Sequence, residues 1–244
     1  MRLLFVADLH YSLKQFDWLL VHVGEYDLAV IGGDLLDLGS ALDADVQIAI
    51  VEKYFGLLRQ KARLAVSSGN HDGDSRNAAD ESISLWLRAA RAERLHVDGD
   101  SFDLGETRIT VCPWWDGETS REELETMLER EAAQVRGRRW IWIHHAPPEG
   151  ARTSWTGRKF VGDEALRGWI TRFQPELVLS GHVHNSPFYE GGSWIDRLGQ
   201  TWVFNPGRQL GPQPATITLD LEAMTAEWNS QEGRSFRNLR ASDR

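Results

Sequence analysis

Residues of metal-ligating type stand at the ends of five apolar runs. They are Asp8 and His10 in "LLFVADLH", Asp34 and Asp37 in "LAVIGGDLLD", Asn70, His71 and Asp72 in "LAVSSGNHD", His144 and His145 in "WIWIHHAPP", and His182 and His184 in "LVLSGHVH". Six of the eight histidines fall in these positions. Each has an ordinary reading alone: an aspartate after a strand caps the next helix, Asn70 suits a turn, and a lone His10 or His184 satisfies a structural hydrogen bond. Those readings are independent of one another and do not explain why all five run ends carry them. A metal site needs them all at once. The set offers carboxylate, imidazole and amide but no thiolate, which suits Mn²⁺, Fe or Zn²⁺ rather than a closed cysteine zinc site. It exceeds what one ion needs, so two divalent ions are expected. Two metals about 3.5–4 Å apart activate a bridging hydroxide and clamp both attacking and leaving oxygens.

Such residues need strands to bring them together, because ligands in open α/β sheets gather outside the carboxyl ends of strands. Short apolar, β-branched runs recur at 2–8, 27–33, 62–68, 107–113, 139–145, 176–182, 201–207 and 215–221, several of them reading as buried on both faces. Between them lie helical stripes: Leu13, Phe16, Leu20 and Val23; Leu124, Met127, Leu128 and Val135; and Ala165, Leu166, Trp169, Ile170 and Phe173. Ser12 with Gln15, and Ser120 with Glu123, fit capping boxes at two helix starts. The expected fold is α/β, a two-sheet β-sandwich flanked by helices, as one domain over 1–230 followed by a loose polar tail at 231–244.

Bulk properties exclude several classes. A net charge of −9 argues against a duplex nucleic-acid binder, whose affinity comes from neutralising phosphates with Lys and Arg. No apolar run approaches the roughly 18 residues of a spanning helix. Asp8 also interrupts the N-terminal apolar stretch before it reaches the length of a secretory h-region. The single cysteine, Cys112, forms no internal disulfide and no thiolate cluster, so a reducing cytoplasm is the expected setting.

The ordered motifs D-x-H (8–10), G-D-x-x-D (33–37), G-N-H-D (69–72), a strand-terminal histidine before "APP" (145) and G-H-x-H (181–184) resemble the calcineurin-like metallophosphoesterases. The resemblance spans residues 8–184, and "NPG" at 205–207 resembles a turn common late in these proteins. It implies roles by position. Asp8, His10 and His184 would bind the first metal, Asn70, His145 and His182 the second, and Asp34 would bridge them. His71 would stabilise the transition state or protonate the leaving oxygen, and Asp72 would orient His71. Asp37 is read as holding its loop. The family places its ligand two residues before a proline, which selects His145, and only one of two adjacent strand residues can face the metals; His144 is the competitor. Leu38 stands where the protein phosphatases of this superfamily carry Arg, and "GNHD" replaces their "GNHE", which argues against a protein-phosphatase role.

The expected activity is metal-dependent hydrolysis of a phosphodiester or phosphomonoester, on a small-molecule or nucleotide substrate, with manganese foremost among the metals. A DNA nuclease and a non-catalytic protein-binding scaffold are the alternatives. The linker 146–164 is either a surface crossing or a lid carrying Trp155, Arg158 or Lys159 to a phosphate. Trp114 and Trp115 are candidates for stacking a base, and Arg208 for a phosphate contact.

Overall fold

Strands that read as unbroken apolar runs need cover on both faces. The computed structural model, which describes residues 1–135 and 137–240, supplies it in four layers. In chain order the strands are β1 (Arg2–Val6), β2 (Leu28–Gly32), β3 (Arg63–Ser67), β4 (Ser75–Arg76), β5 (Ser82–Ile83), β6 (Leu95–His96), β7 (Ser101–Leu104) and β8 (Thr107–Val111). They continue with β9 (Arg139–Ile143), β10 (Leu177–Leu179), β11 (Ile195–Leu198), β12 (Thr201–Phe204), β13 (Thr216–Asp220), β14 (Thr225–Ser230) and β15 (Gly233–Asn238). The helices are α1 (Leu13–His22), α2 (Ala44–Leu58), α3 (Leu85–Ala89), α4 (Glu118–Val135) and α5 (Glu164–Phe173). One sheet runs β15-β14-β13-β1-β2-β3-β6 and the other β11-β12-β10-β9-β8-β7, with β4 and β5 paired separately.

The period-2 alternation of each strand assigns its residues to layers. Leu3 and Phe5 of β1 share the cluster between the sheets with Ile141, Ile143, Leu177 and Leu179. Leu4 and Val6 face the other way, into a cluster with Phe16 and Leu19 of α1 and Val51 and Phe55 of α2. On the second sheet, Trp140, Trp142 and Val178 pack beneath Leu124 and Leu128 of α4 and Leu166 and Trp169 of α5. The helix–sheet–sheet–helix order is the α/β sandwich expected from the strand pattern. No helix among the described residues is long and apolar enough to cross a membrane.

Three local expectations are corrected. Ser12 makes no side-chain cap at α1: the Gln15 N–H donates to the Ser12 carbonyl (2.8 Å), and the Gln15 side chain turns inward and donates from Nε2 to the carbonyls of Gln209 (2.7 Å) and Gly211 (2.9 Å). Ser120 lies inside α4 rather than at its cap, and Glu81 from the β4–β5 hairpin accepts the free N–H groups of Thr119 (2.8 Å) and Ser120 (2.7 Å). The polar segment read as a tail instead forms β15, which pairs with β14 from Thr225↔Asn238 to Ser230↔Gly233. Its side chains are mostly exposed, so ladder hydrogen bonds rather than burial make it a strand, and hydropathy carries no trace of it. Residues 241–244 of that expected tail lie outside the described residues.

Candidate metal centre

The strands that carry the motifs are parallel neighbours, β1–β2–β3 in one sheet and β9–β10 in the other, so their carboxyl ends emerge on one edge of the sandwich. The loops after β1 and β2 are stitched together. Asp8 N–H donates to Gly33 O (3.1 Å), His10 N–H to Asp34 O (2.9 Å) and Tyr11 N–H to Leu35 O (2.8 Å). Asp8, His10, Asp34 and His182 sit in the left-handed region at φ of 57°, 41°, 54° and 67°. Such backbone costs about 1 kcal/mol or more per residue and persists only where neighbouring bonds over-determine it. Close approach explains the glycine before Asn70 and the one before His182. A Cβ on Gly69 would overlap Asp34 Oδ1, and one on Gly181 would lie 2.6 Å from Asp8 Oδ2.

Side chains from all five motifs meet at these loops. The ligand atoms of Asp8, His10, Asp34 and His184 lie within 4.8 Å of one another, and those of Asp34, His145 and His182 form a second such group. Asp34 belongs to both. Its Oδ2 is 3.2 Å from His145 Nε2 and 3.5 Å from His10 Nε2, while Asp8 Oδ1 is 3.3 Å from His184 Nε2. His182 Nδ1 meets Asn70 Oδ1 at 2.9 Å. Nδ1 of His145 bonds Gly32 O at 2.7 Å, the carbonyl that makes it a donor and turns Nε2 toward the carboxylates.

Charge makes the case for a cation. Asp8 and Asp34 are 0% and 2% exposed, and among the described residues neither pairs with a lysine or arginine. Burial is the largest influence on Asp34 and works against its carboxylate, yet the charge and hydrogen bond of His145, the His71 backbone N–H and the His71 charge together outweigh it and hold Asp34 below the usual aspartate range. Burial likewise opposes the charged form of His145, and Asp34 and Asp8 overcome it, lifting the imidazole to about 9. Burial pushes His10 down to about 4, with Arg208 and His184 adding to it, and takes His182 to about 4 with help from His145. Neutral imidazoles are the ligand form. The Nε2 atoms of His10 and His184 face each other at 3.1 Å beside two carboxylates compensated only by imidazole. That donor set fits divalent cations.

The structure separates the adjacent histidines. His145 faces the cluster, whereas His144 points to the other face of β9, its Nε2 3.3 Å from Asp163 Oδ2. His71 joins the cluster with its ring edge-on to His10 at 4.6 Å and its Nδ1 buried without a partner. Asp72 does not orient it. Its Oδ1 accepts the N–H groups of Leu35 (2.8 Å) and Leu36 (3.0 Å), and its Oδ2 that of Gly69 (2.8 Å), so Asp72 ties the β2 and β3 loops together. Burial, reinforced by the charge of Asp34, raises its carboxyl to about 7. Asp37 accepts Gly39 N–H (2.9 Å) and stands within ligand reach of His10 and His71.

Trp114 lies beside the cluster, its ring 5.6 Å from that of His182 and 5.8 Å from that of His145. Trp155 instead packs on the 189–191 turn, donating to Glu190 O (2.9 Å), with Arg158 lining a cleft beside Tyr189. Arg208 reaches the electrostatic field of His10, and its N–H donates to His184 O at 2.9 Å. Sequence reasoning missed two supports. Buried Asp98 accepts Ser68 N–H (2.8 Å) at the start of the 68–72 loop, and no local pattern marks it. Asn205 donates to the carbonyls of Thr153, Gly181 and Val183 and accepts Gly207 N–H; its signal was the "NPG" turn.

Residues 1–186 match the family model described as calcineurin-like phosphoesterase. The chain belongs to this family. Protein 078R of Invertebrate iridescent virus 3, a phosphoesterase by name, is 24% identical over 222 residues, covering 81% of this chain. The chain spans 59% of that relative's length. The structure of TT1561 of Thermus thermophilus aligns at 15% identity and TM-score 0.60, covering 98% of this chain and 99% of that one. A dimetal phosphatase from Danio rerio aligns at 12% identity and TM-score 0.60 over 96% of each chain. These two structures share the fold.

Proposed function

We propose that the protein is a hydrolase of phosphoric esters, acting on a small-molecule or nucleotide substrate with two divalent cations, manganese foremost. The observation that carries this reading is the pair of ligand groups that share Asp34. Asp8, His10 and His184 would hold one cation and Asn70, His145 and His182 the other, with Asp34 between them. Bound cations supply Lewis-acid activation of a water and neutralise charge on the phosphoryl group.

The chain's own groups do the rest. Gly32 O fixes the His145 tautomer, so Nε2 is presented without rearrangement. His71 is held at the cluster by its own N–H, which donates to Asp34 Oδ1 at 3.0 Å. Its imidazole, a quarter exposed, is the group able to give a proton to the departing ester oxygen. Buried, reduced Cys112 is compatible with a cytoplasmic setting.

The test is phosphodiester and phosphomonoester turnover by protein loaded with Mn²⁺, beside its chelated form. His71→Ala should lower turnover by about 10²–10⁴-fold with metal content unchanged, whereas Asp34→Asn should lower both. Equal rates with and without metal, or full turnover by His71→Ala, would refute the assignment.

A further inference from the structure

We infer, building on the phosphoesterase reading above, that one ester arm of the substrate is a nucleoside whose flat base lies against Trp114 in the cavity beside the ligand cluster. The cavity, of about 460 Å³, opens from His182 toward the start of α5. That volume falls within the range of small-ligand sites, about 300–1,000 Å³. A phosphoryl group at the Asp34–His145–His182 side of the cluster would carry its ester substituent toward Trp114, whose ring is 5.6 Å from that of His182 and 5.8 Å from that of His145.

The walls are built for a flat ring with polar edges. Trp115 is fixed by its Nε1–H, which donates to Asp163 Oδ2 at 2.7 Å, and Asp163 is itself anchored by Leu166 N–H at 2.9 Å. The Arg121 guanidinium lies 6.0 Å over the Trp115 ring. Asp116 and Glu164, both exposed, line the same cavity. Aromatic faces favour stacking by any base. Carboxylates at the rim accept N–H groups from an exocyclic amine, with Arg121 the cation among the lining residues. The occupant that fits is a nucleoside.

Binding calorimetry with adenosine monophosphate and with ribose 5-phosphate separates the base from the phosphate. Wild-type protein should bind the nucleotide at least about tenfold more tightly than the sugar phosphate, as one stacked base provides. Trp114→Ala should erase that difference while leaving ribose 5-phosphate binding unchanged, and Trp114→Phe should keep most of it. A thermal melt of each variant confirms folding. Equal binding of the two probes by wild type, or equal weakening of both by Trp114→Ala, would overturn the inference. If neither probe binds but bis-p-nitrophenyl phosphate is hydrolysed, the nucleoside assignment is wrong and the phosphoesterase reading stands. If nothing is bound or hydrolysed, the phosphoesterase reading fails and the nucleoside assignment with it.

Discussion

Replacing Asn205 by alanine should unfold the loop that carries His182 and His184, two of the proposed ligand histidines, more readily than any surface change nearby. The side chain is fully buried. Its Nδ2 donates to Thr153 O (3.0 Å), Gly181 O (3.0 Å) and Val183 O (3.1 Å), and its Oδ1 accepts Gly207 N–H (2.8 Å). Two amide hydrogens serve three carbonyls, two of which flank His182. Alanine removes about three hydrogen bonds' worth of pairing and leaves buried backbone groups without it. At about 1 kcal/mol net per bond, with more for each group left unsatisfied, the loss is about 3–5 kcal/mol. For a chain of this size each kcal/mol lowers Tm by about 2–4 °C, so a fall of about 10 °C is expected. The rise in Tm on adding MnCl₂ should shrink as well, since binding to the native state stabilises it by mass action. Asn205→Asp, nearly the same shape, should be worse than alanine, because it sets a carboxylate oxygen against three carbonyl oxygens. Thermal melts of the three proteins with and without MnCl₂ decide it. An Asn205→Ala variant melting within about 2 °C of wild type would show that the hydrogen bonds do not hold this loop.

Other perturbations test the electrostatics. Burial raises the carboxyl of Asp98 to about 6, and its Oδ2 has no partner. The folded state therefore favours the protonated form. This penalty is absent below about pH 4, grows as pH rises, and is complete above about pH 6, where it reaches about 3 kcal/mol. Asp98→Asn keeps an acceptor for Ser68 and removes the ionisation, so its advantage in urea denaturation should grow from pH 4 to pH 7; parallel stability curves would sink the argument. Arg208 makes no ion pair among the described residues and raises the local positive potential at His10. Arg208→Ala should raise KM for a phosphoester about tenfold with Tm unchanged, and an unaltered KM would remove Arg208 from the substrate's surroundings.

The sequence alone determined the donor set, because residue type is chemistry: carboxylates, imidazoles and one amide without thiolate at five run ends already specify divalent metal rather than a cysteine zinc site. It also determined the layers, since a run apolar at every position requires cover on both faces, and the strands at 2–8, 27–33, 62–68 and 139–145 obtain it. Tertiary structure decided which partners those residues meet. His144 and His145 have the same side chain and adjacent places; only the pleat of β9 against two different layers sends one to Asp163 and the other to Asp34. Asp72 follows His71 in the chain yet bonds the backbone of Leu35 and Leu36, because the loops after β2 and β3 come together across parallel strands. Glu81 caps a helix that begins 37 residues later, and β15 is a strand only because β14 offers it an open edge. Periodicity and capping patterns report contacts within a few residues along the chain. The hydrogen bonds that finish this site join groups brought near only when strands pair within a sheet or the two sheets close on one another.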